Sequence, residues 1–294
     1  MITIRAKGGL GNQLFQYATG YAMSKRLEQK MSIDTSFYSK QTLRGYKLDK
    51  LLIDPEVTVS NEQNLKIEIL KSKYLNKLLR QAGWSIIRCG RSSTYVLECR
   101  SDLVEKFHEV KNDNIYIDGY YQSELYFKEY KNDLVAQFNP IYKPETEFLE
   151  ELAKINKCNS IAVHVRRGDF LSAQNDPNPN HYLLGEPYYH NALKYVGEHL
   201  ENPVFFWFSD DIDWIKQNFG ERENFHFVSL YTKHANIDEM MLMKNCRHII
   251  AANSTFSWWA SWLNENKEAM HICPARRYGN LHMIPENWIK IAVE

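Results

Sequence analysis

The sequence lacks an excess of charge of either sign. Lysine and arginine together number 36, aspartate and glutamate also number 36, and the isoelectric point is near 7.1. A protein whose main partner is DNA or RNA normally carries a net positive charge that neutralises phosphates. We therefore expect no nucleic-acid partner.

Long apolar runs and paired cysteines are absent as well. The most apolar short run, VFFWF at 204–208, is far too brief to span a bilayer. The five cysteines form no Cys-x-x-Cys pair and no zinc-type cluster with histidine, which favours reduced thiols in a cytoplasmic protein. No basic stretch leading into an apolar core follows Met1, so no signal peptide is expected.

The residues that are present indicate a globular α/β protein. The chain has 294 residues, more than one hydrophobic core usually holds, and short apolar strands alternate with amphipathic helices. The segment FNPIYKP at 138–144 interrupts both patterns. We predict a parallel α/β fold with an N-terminal domain at 1–140 and a C-terminal domain at 141–294.

Two adjacent arginines end the strand predicted at 161–166. Burying two guanidinium groups is costly unless anions pair with them. Strand alternation places His164 and Arg166 on one face and Arg167 on the other. For Arg166 we favour a diphosphate ligand beyond the end of the strand, because a planar guanidinium matches two phosphate oxygens. Arg167 either contacts the ligand too or forms a structural pair with Asp169 or a helix carboxylate.

Two acids end the next predicted strand, at 203–208. Asp211 and Asp213 also form the Asp-x-Asp pattern by which one class of sugar transferases holds a divalent metal. A metal and two arginines directed at one diphosphate would be redundant, and the dipole of the following helix favours an acid at Asp213. We therefore predict that Asp210 and Asp211 contact a nucleotide base or ribose, and we predict no metal site.

Two helix starts in the C-terminal half carry polar groups. Residues 253–255 (NST) follow a strand predicted at 248–252. Hydroxyls and backbone N–H groups at a helix start bind anions without any net charge.

Asn236, with Glu239 three residues later, predicts a capping pair at the start of another helix.

A glycine-rich turn near the N-terminus is a further candidate. The segment GGLGNQLFQYA at 8–18 lacks the last glycine of the dinucleotide-binding motif and the Gly-Lys-Ser/Thr of a P-loop. The turn either brings backbone close to a ligand, with Asn12 and Gln13 at a helix start, or is a plain strand-to-helix turn capped by Asn12.

Taken in order, these segments resemble the signature blocks of bacterial glycosyltransferase family 11. The resemblance implies an inverting α1,2-fucosyltransferase that uses GDP-fucose, with two Rossmann-like domains facing a cleft (GT-B type) and no metal or other cofactor. It places the donor in the C-terminal domain and the acceptor largely against the N-terminal one. The blocks are GGLGNQLFQYA (8–18), GYYQSELYF (119–127), HVRRGDF (164–170), EPYYHNAL (186–193), FFWFSDD (205–211) and IIAANSTFSWWASWL (249–263).

The resemblance also implies roles for individual residues. Arg166 would bind the β-phosphate, while His164 and either Asp210 or Asp211 would contact guanine. The glycine-rich turn would approach the phosphate and the sugar, and the hydroxyls after the last strand would bind phosphate. The predicted donor-binding set is Gly11, Asn12, Gln13, His164, Arg166, Asp210, Asp211, Asn253, Ser254, Thr255, Phe256 and Ser257.

Three residues are predicted to act in catalysis. Arg166 would counter the negative charge that gathers on the leaving GDP, so it should stabilise the transition state more than the ground state. An inverting displacement also needs a base for the acceptor hydroxyl, and Asp169 and Glu124 are the candidates. A phosphate-assisted route without a protein base stays open.

The expected reaction transfers L-fucose from GDP-fucose to the 2-hydroxyl of a terminal β-galactoside in a bacterial surface glycan such as an O-antigen. The galactose-terminated acceptor is either free or lipid-linked. Two alternatives stay open. One is a metal-dependent GT-A transferase that uses Asp211 and Asp213, and the other is a non-catalytic sugar-nucleotide-binding or lectin-like protein.

A basic segment at 64–92 adds a possible membrane partner. It carries seven lysines and arginines and a single acid, Glu68. On a helix, Ile67, Leu70, Tyr74 and Leu78 would share one face, and lysines would lie on another. The segment is either an ordinary surface helix or a peripheral contact with the anionic cytoplasmic face of the inner membrane.

Overall fold

The computed structural model describes residues 1–40, 45–60, 69–70, 72–82, 85–89, 91–98, 103–168, 171, 182–275 and 283–294. The chain divides into two compact units, Met1–Ile141 and Tyr142–Glu294. Each unit contains a six-stranded sheet with helices. The predicted α/β class with two Rossmann-like domains is confirmed.

The sheet of the first unit has the strand order β3-β2-β1-β6-β5-β4. Neighbouring strands are parallel except β4 and β5, which are antiparallel. The loops after β1, β2 and β6 therefore emerge at one edge of the sheet. The strands are β1 (Ile2–Arg5), β2 (Met31–Asp34), β3 (Thr58–Ser60), β4 (Ile86–Arg88), β5 (Ser93–Leu97) and β6 (Asn114–Asp118).

Helices of the first unit cover the sheet and carry the connections. Helix α1 approaches β1 closely at Gly20, where a Cβ atom would lie 2.3 Å from Cγ2 of Ile4. The α-helices are α1 (Leu10–Arg26), α2 (Lys73–Gln81), α3 (Leu103–Glu109) and α4 (Lys131–Gln137). Short 3-10 helices occur at Tyr38–Lys40, Leu48–Lys50, Glu124–Tyr126 and Lys128–Tyr130.

The sheet of the second unit is parallel throughout, in the order β12-β11-β10-β7-β8-β9. Its strands are β7 (Asn159–Val165), β8 (Pro203–Ser209), β9 (Phe225–Val228), β10 (His248–Ile250), β11 (His271–Pro274) and β12 (Ile289–Ile291). Its helices are α5 (Thr146–Asn156), α6 (Glu186–His199), α7 (Ile212–Phe219), α8 (Ala235–Asn245) and α9 (Thr255–Trp262).

Aromatic packing anchors the helix that follows β10. Trp258 and Trp259 of α9 are fully buried, and Nε1 of Trp258 donates a hydrogen bond to the carbonyl of Met283 at 2.8 Å. Because β7, β8 and β10 are adjacent and parallel, the polar residues that follow these three strands lie at one edge of the sheet. None of the helices in the described parts of either unit is long and apolar enough to cross a membrane.

Candidate active site

His164 is a buried, neutral side chain near the end of β7. Only 5% of the residue is exposed, and its ring lies 5.6 Å from the ring of Phe256 on α9. Burial, together with the nearby Arg166 cation, lowers the pKa of His164 to about 3. Its Nδ1 atom has no hydrogen-bond partner within the described part of the chain. A buried nitrogen of this kind is suited to a polar ligand.

Arg166 lies just after β7 and presents a partly exposed guanidinium group. Its Nη1 atom is 2.8 Å from Oδ2 of Asp210, and 34% of the side chain is exposed. An ion pair with this much exposure contributes little to stability. We therefore interpret the pair with Asp210 as a contact that orients the guanidinium.

Arg167 has different partners from Arg166. Its Nε atom donates to Oδ2 of Asp211 at 3.0 Å, and its guanidinium carbon lies 4.2 Å from the ring centroid of Trp214. Only 14% of the side chain is exposed. These contacts favour the structural alternative for Arg167, with the helix carboxylate Asp211 as its partner. Asp169, the other partner considered, lies outside the described residues.

Asp210 and Asp211 hold the loop after β7 against the end of β8. Asp210 accepts hydrogen bonds from the backbone N–H groups of Arg167 and Gly168, at 2.9 and 3.1 Å. A Cβ atom at Gly168 would lie only 2.7 Å from Oδ2 of Asp210, so the contact requires glycine there. Asp211 caps α7 by accepting from the N–H of Trp214 at 3.1 Å. Both acids thus have protein partners, and their assignment as donor contacts stays a prediction.

Glu239 on α8 is a candidate site residue that the sequence patterns do not reveal. Its carboxyl group is partly buried and interacts electrostatically with both Asp210 and Arg166. Burial, followed by repulsion from Asp210 and Asp238, raises the pKa of Glu239 to about 7. Among the described residues, Glu239 has no hydrogen-bond or ion-pair partner. By contrast, Asp238 accepts from the hydroxyls of Tyr142 and Thr232, at 2.7 and 2.5 Å.

The predicted capping pair of Asn236 and Glu239 is wrong. Helix α8 begins at Ala235 after His234, and no side chain caps it. Glu239 therefore lies in the second turn of the helix, where its carboxylate does not cap the backbone N–H groups of the first turn. In the sequence, Glu239 is one of two adjacent acids that directly precede the apolar run 240–243, which gives no clear signal of a site.

The start of α9 combines a capped backbone with hydroxyl groups. Ser254 is the N-cap and accepts from the N–H of Phe256 at 3.3 Å, and the partly exposed Thr255 begins the helix. Ser257 is buried and donates to the carbonyl of Ala252 at 3.4 Å. The Asn253 side-chain amide donates to the carbonyl of Tyr182 at 2.8 Å. Ser254 and Thr255 are thus the hydroxyls best placed for an anion at this helix start.

The glycine-rich turn belongs to the first unit. Helix α1 begins at Leu10 with Gly9 as its N-cap, so the alternative of a turn capped by Asn12 is wrong. Gly8 has a left-handed backbone, with φ of 80°, and a Cβ atom there would clash with Nδ2 of Asn12 at 2.7 Å. The turn therefore depends on glycine at this position.

Asn12 and Gln13 have protein contacts on either side of this turn. Oδ1 of Asn12 accepts from Nε2 of Gln122 at 2.8 Å. Gln13 is fully buried and donates to the carbonyls of Gly8 and Gly45, at 3.2 and 3.0 Å. Gln13 thus stabilises the turn from within, while Gly11 and Asn12 lie in the first turn of α1. All three remain predicted donor contacts.

The structure brings His164, Arg166, Asp210, Asp211, Glu239 and the start of α9 together in the second unit. Glu124 lies elsewhere, in the 3-10 helix Glu124–Tyr126 of the first unit. In the described ranges, no group of three or more His, Cys, Asp or Glu side chains could hold a metal ion. Among the described residues of the second unit, Arg166, the neutral imidazole of His164 and the start of α9 are the groups that suit an anionic ligand.

Comparison with protein families gives a match along almost the whole chain. The family model described as "Glycosyl transferase family 11" matches residues 1–290. An α-1,2-colitosyltransferase of Escherichia coli is 32% identical, with 99% of each chain covered. The O-antigen biosynthesis glycosyltransferase WbnK of Escherichia coli is 26% identical, with 97% of this chain and 98% of the relative covered. A galactoside α-(1,2)-fucosyltransferase 2 of Sus scrofa is 22% identical, with 90% and 69% covered.

A solved structure has the same fold. The crystal structure of the NodZ α-1,6-fucosyltransferase soaked with GDP-fucose superposes with a TM-score of 0.54 and 15% identity. The match covers 89% of this chain and 92% of the NodZ chain. The relatives agree on glycosyl transfer and differ in the sugar that their names specify, colitose or fucose.

Proposed function

The chain belongs to glycosyltransferase family 11 and is therefore a glycosyltransferase. We propose that it transfers L-fucose from GDP-fucose to the 2-hydroxyl of a terminal β-galactoside in a bacterial surface glycan. The α-1,2 linkage in the names of two relatives and the O-antigen role in the name of a third support this proposal. The observation that carries it is Arg166, held by Asp210 beside the neutral His164 at the end of β7.

In the proposed reaction Arg166 stabilises the leaving group. The bond between C1 of fucose and the β-phosphate oxygen breaks, and its electron pair passes to that oxygen. The galactose 2-hydroxyl oxygen bonds to C1 from the opposite face, which inverts the configuration. Charge grows on the β-phosphate as the bond breaks, so a guanidinium directed at it acts most strongly in the transition state. The hydroxyl proton passes to Glu124, to Asp169 or to a phosphate oxygen.

Glu239 is our proposed acceptor for the guanine base. A carboxylate can accept hydrogen bonds from guanine N1–H and the 2-amino group together, and Asp210 and Asp211 are already held by backbone and arginine donors. Uracil presents one N–H between two carbonyl oxygens, so a carboxylate opposite that edge meets repulsion. We therefore propose that the site selects GDP over UDP.

The raised pKa of Glu239 predicts that GDP binds more weakly in acid. The pKa is about 7 in the free protein, and the ionised carboxylate is the form that accepts from guanine. Affinity is therefore fully present above pH 7 and is lost as the pH falls through that value. Between pH 8 and pH 6 we expect about a tenfold loss, measured by calorimetric titration with GDP.

The matched control for this titration is Glu239→Gln, which cannot ionise. The β-phosphate of GDP also titrates near this range, and the variant experiences that titration equally. The difference between the two pH profiles therefore reports Glu239 alone. Parallel profiles for the wild type and the variant would contradict the assignment.

The experiment that tests the proposed function supplies GDP-fucose with and without lactose and follows release of GDP and formation of a trisaccharide. We expect release to depend on lactose and to be unchanged by EDTA or manganese. Activity that is lost in EDTA and restored by manganese would favour the metal-dependent alternative, and binding without turnover would favour a non-catalytic protein.

The identity of the donor sugar needs its own comparison. Colitose is L-fucose without the 3-hydroxyl, so GDP-colitose is the matched competitor for GDP-fucose. A site with polar groups that bind the 3-hydroxyl discriminates strongly against a sugar that lacks it, because those groups are left unpaired. We expect a higher kcat/KM with GDP-fucose, and a preference for GDP-colitose would contradict this part of the proposal.

We also propose a cytoplasmic location with peripheral contact of the α2 region to the anionic membrane face. Leu79 of α2 packs into the first unit, whereas Tyr74 and Leu78 are 85% and 61% exposed and adjoin the exposed Lys77. Exposed apolar side chains beside lysine suit the interface of an anionic bilayer. The predicted face also included Ile67, which lies outside the described residues.

Vesicle sedimentation tests the membrane proposal. We expect binding at low salt to vesicles of phosphatidylglycerol and phosphatidylcholine, and none to phosphatidylcholine alone. Leu78→Ser should weaken it, whereas Leu149→Ser, at a leucine of α5 that is 50% exposed, should leave it unchanged. Equal sedimentation with both kinds of vesicle would contradict the proposed contact with an anionic membrane face.

A further inference from the structure

Tyr120 is an exposed aromatic residue in the signature block GYYQSELYF, most of which the donor site does not explain. It follows β6 at the carboxyl edge of the first sheet. Tyr120 is 39% exposed, whereas its neighbours Gly119 and Tyr121 are buried. The carboxyl edge of a parallel sheet is where α/β units bind ligands. The position of Tyr120 therefore suggests a ligand rather than the core.

The backbone around Tyr120 is strained and firmly held. Tyr121 has a left-handed backbone, with φ of 51°, which is costly for a residue with a large side chain. Glu98 accepts hydrogen bonds from the N–H groups of both Tyr120 and Tyr121, at 2.6 and 2.9 Å. A Cβ atom at Gly119 would lie 2.4 Å from Cβ of Glu98, so only glycine allows this approach.

The side chain of Tyr121 fixes the other end of this segment. It is fully buried, and its hydroxyl donates to the carbonyl of Val96 at 3.0 Å. The segment is thus held on both sides, with Tyr121 buried and Tyr120 exposed. Strain that the surrounding contacts maintain is typical of functional positions.

Polar groups surround the exposed ring. Nζ of Lys7 lies 5.0 Å from the Tyr120 ring centroid and also pairs with the buried Asp118. Although burial alone would raise the pKa of Asp118, Lys7 and Arg5 hold it well below its usual range. The carboxylate therefore stays ionised and holds the Lys7 ammonium over the Tyr120 ring. Two residues beyond Tyr120, Gln122 donates to Asn12 in the glycine-rich turn at 2.8 Å.

We propose that the Tyr120 ring is the platform on which the galactose of the acceptor stacks, an inference that rests on the proposed function. The axial 4-hydroxyl of galactose leaves C3–H, C4–H and C5–H together on one face, and such an apolar face packs against an aromatic ring. The ammonium of Lys7, which lies over the ring, is placed to donate to a sugar hydroxyl. The link from Gln122 to Asn12 places this platform next to the turn predicted to approach the donor.

The test compares Tyr120→Ala, Tyr120→Phe and a control, Tyr231→Ala, at a tyrosine of the second unit that is 87% exposed. We expect Tyr120→Ala to raise KM for lactose about five- to tenfold, with Kd for GDP unchanged. Tyr120→Phe keeps the ring and should stay within about twofold of the wild type. Tyr231→Ala should match the wild type throughout.

Direct binding separates this inference from the proposed function. Saturation-transfer NMR of lactose with each variant needs no donor and no turnover. Loss of the galactose H3, H4 and H5 signals in Tyr120→Ala alone would support the platform even if fucose is not the donor. An unchanged lactose signal in Tyr120→Ala, or equal losses for Tyr120→Ala and Tyr120→Phe, would overturn it.

Discussion

Replacing Arg166 with lysine is expected to lower kcat by about a hundred- to a thousandfold, the usual effect of removing one well-placed donor from a developing oxyanion. Lysine keeps the charge but loses the planar fork that matches two phosphate oxygens. The loss should appear in kcat and in Kd for GDP, with little change in Tm, because the pair with Asp210 is partly exposed. Arg166→Ala should be worse.

Arg167→Lys is the matched control, since it changes the same residue type one position along. In the wild type, the Arg167 guanidinium lies over the Trp214 ring and pairs with Asp211, the N-cap of α7. We expect the variant to retain much of its activity and to melt at a lower temperature. A folded but inactive Arg167→Lys beside a nearly wild-type Arg166→Lys would reverse the two roles. Activity in both variants would mean that the diphosphate is held elsewhere.

Replacing Glu239 with alanine is expected to weaken GDP binding by about ten- to a hundredfold, as removal of a charged hydrogen-bond partner does. The affinity for UDP should change little, so the selectivity between the two nucleotides falls. Tm should be unchanged or higher, because the variant no longer buries a carboxylate. Calorimetric titration with each nucleotide measures both affinities.

Controls for Glu239 come from the two acids originally predicted to bind the base. Asp210→Asn and Asp211→Asn remove acceptors of backbone and arginine hydrogen bonds, so we expect both to lower Tm. Glu223→Ala, at an exposed acid of the second unit, should change nothing. If Asp211→Asn instead removes GDP selectivity without lowering Tm and Glu239→Ala does not, the original prediction is correct.

Local sequence patterns predicted the elements that position the site. A helix follows the second acidic strand end, as predicted, and the strand predicted at 203–208 is found at Pro203–Ser209, one residue longer. Both depend on periodicity within a few residues, which a single sequence displays. The strand predicted at 248–252 ends at Ile250, where ladder pairing with β11 stops although the backbone N–H of Ala251 still donates to Ile272.

Contacts between distant segments could not be predicted in the same way. Asp210 binds backbone N–H groups more than forty positions earlier in the chain, so its side chain looked available in the sequence. Gln13 appeared to be exposed at a helix start, yet its amide joins Gly8 to Gly45 inside the fold. The spacing of Glu239 from Asn236 matches a capping pair, whereas the true helix start at Ala235 is not visible in the local sequence.

The central claim is the chemistry at the fucose carbon, and NMR analysis of the isolated product tests it most directly. The sugar of GDP-fucose is β-linked. If GDP leaves with the help of Arg166 and the configuration inverts, the reaction gives one glycoside, an α-linked fucose on O2 of the lactose galactose, together with GDP. Retention as a β-linkage, attachment at another hydroxyl, or turnover of GDP-colitose with none of GDP-fucose would contradict the account.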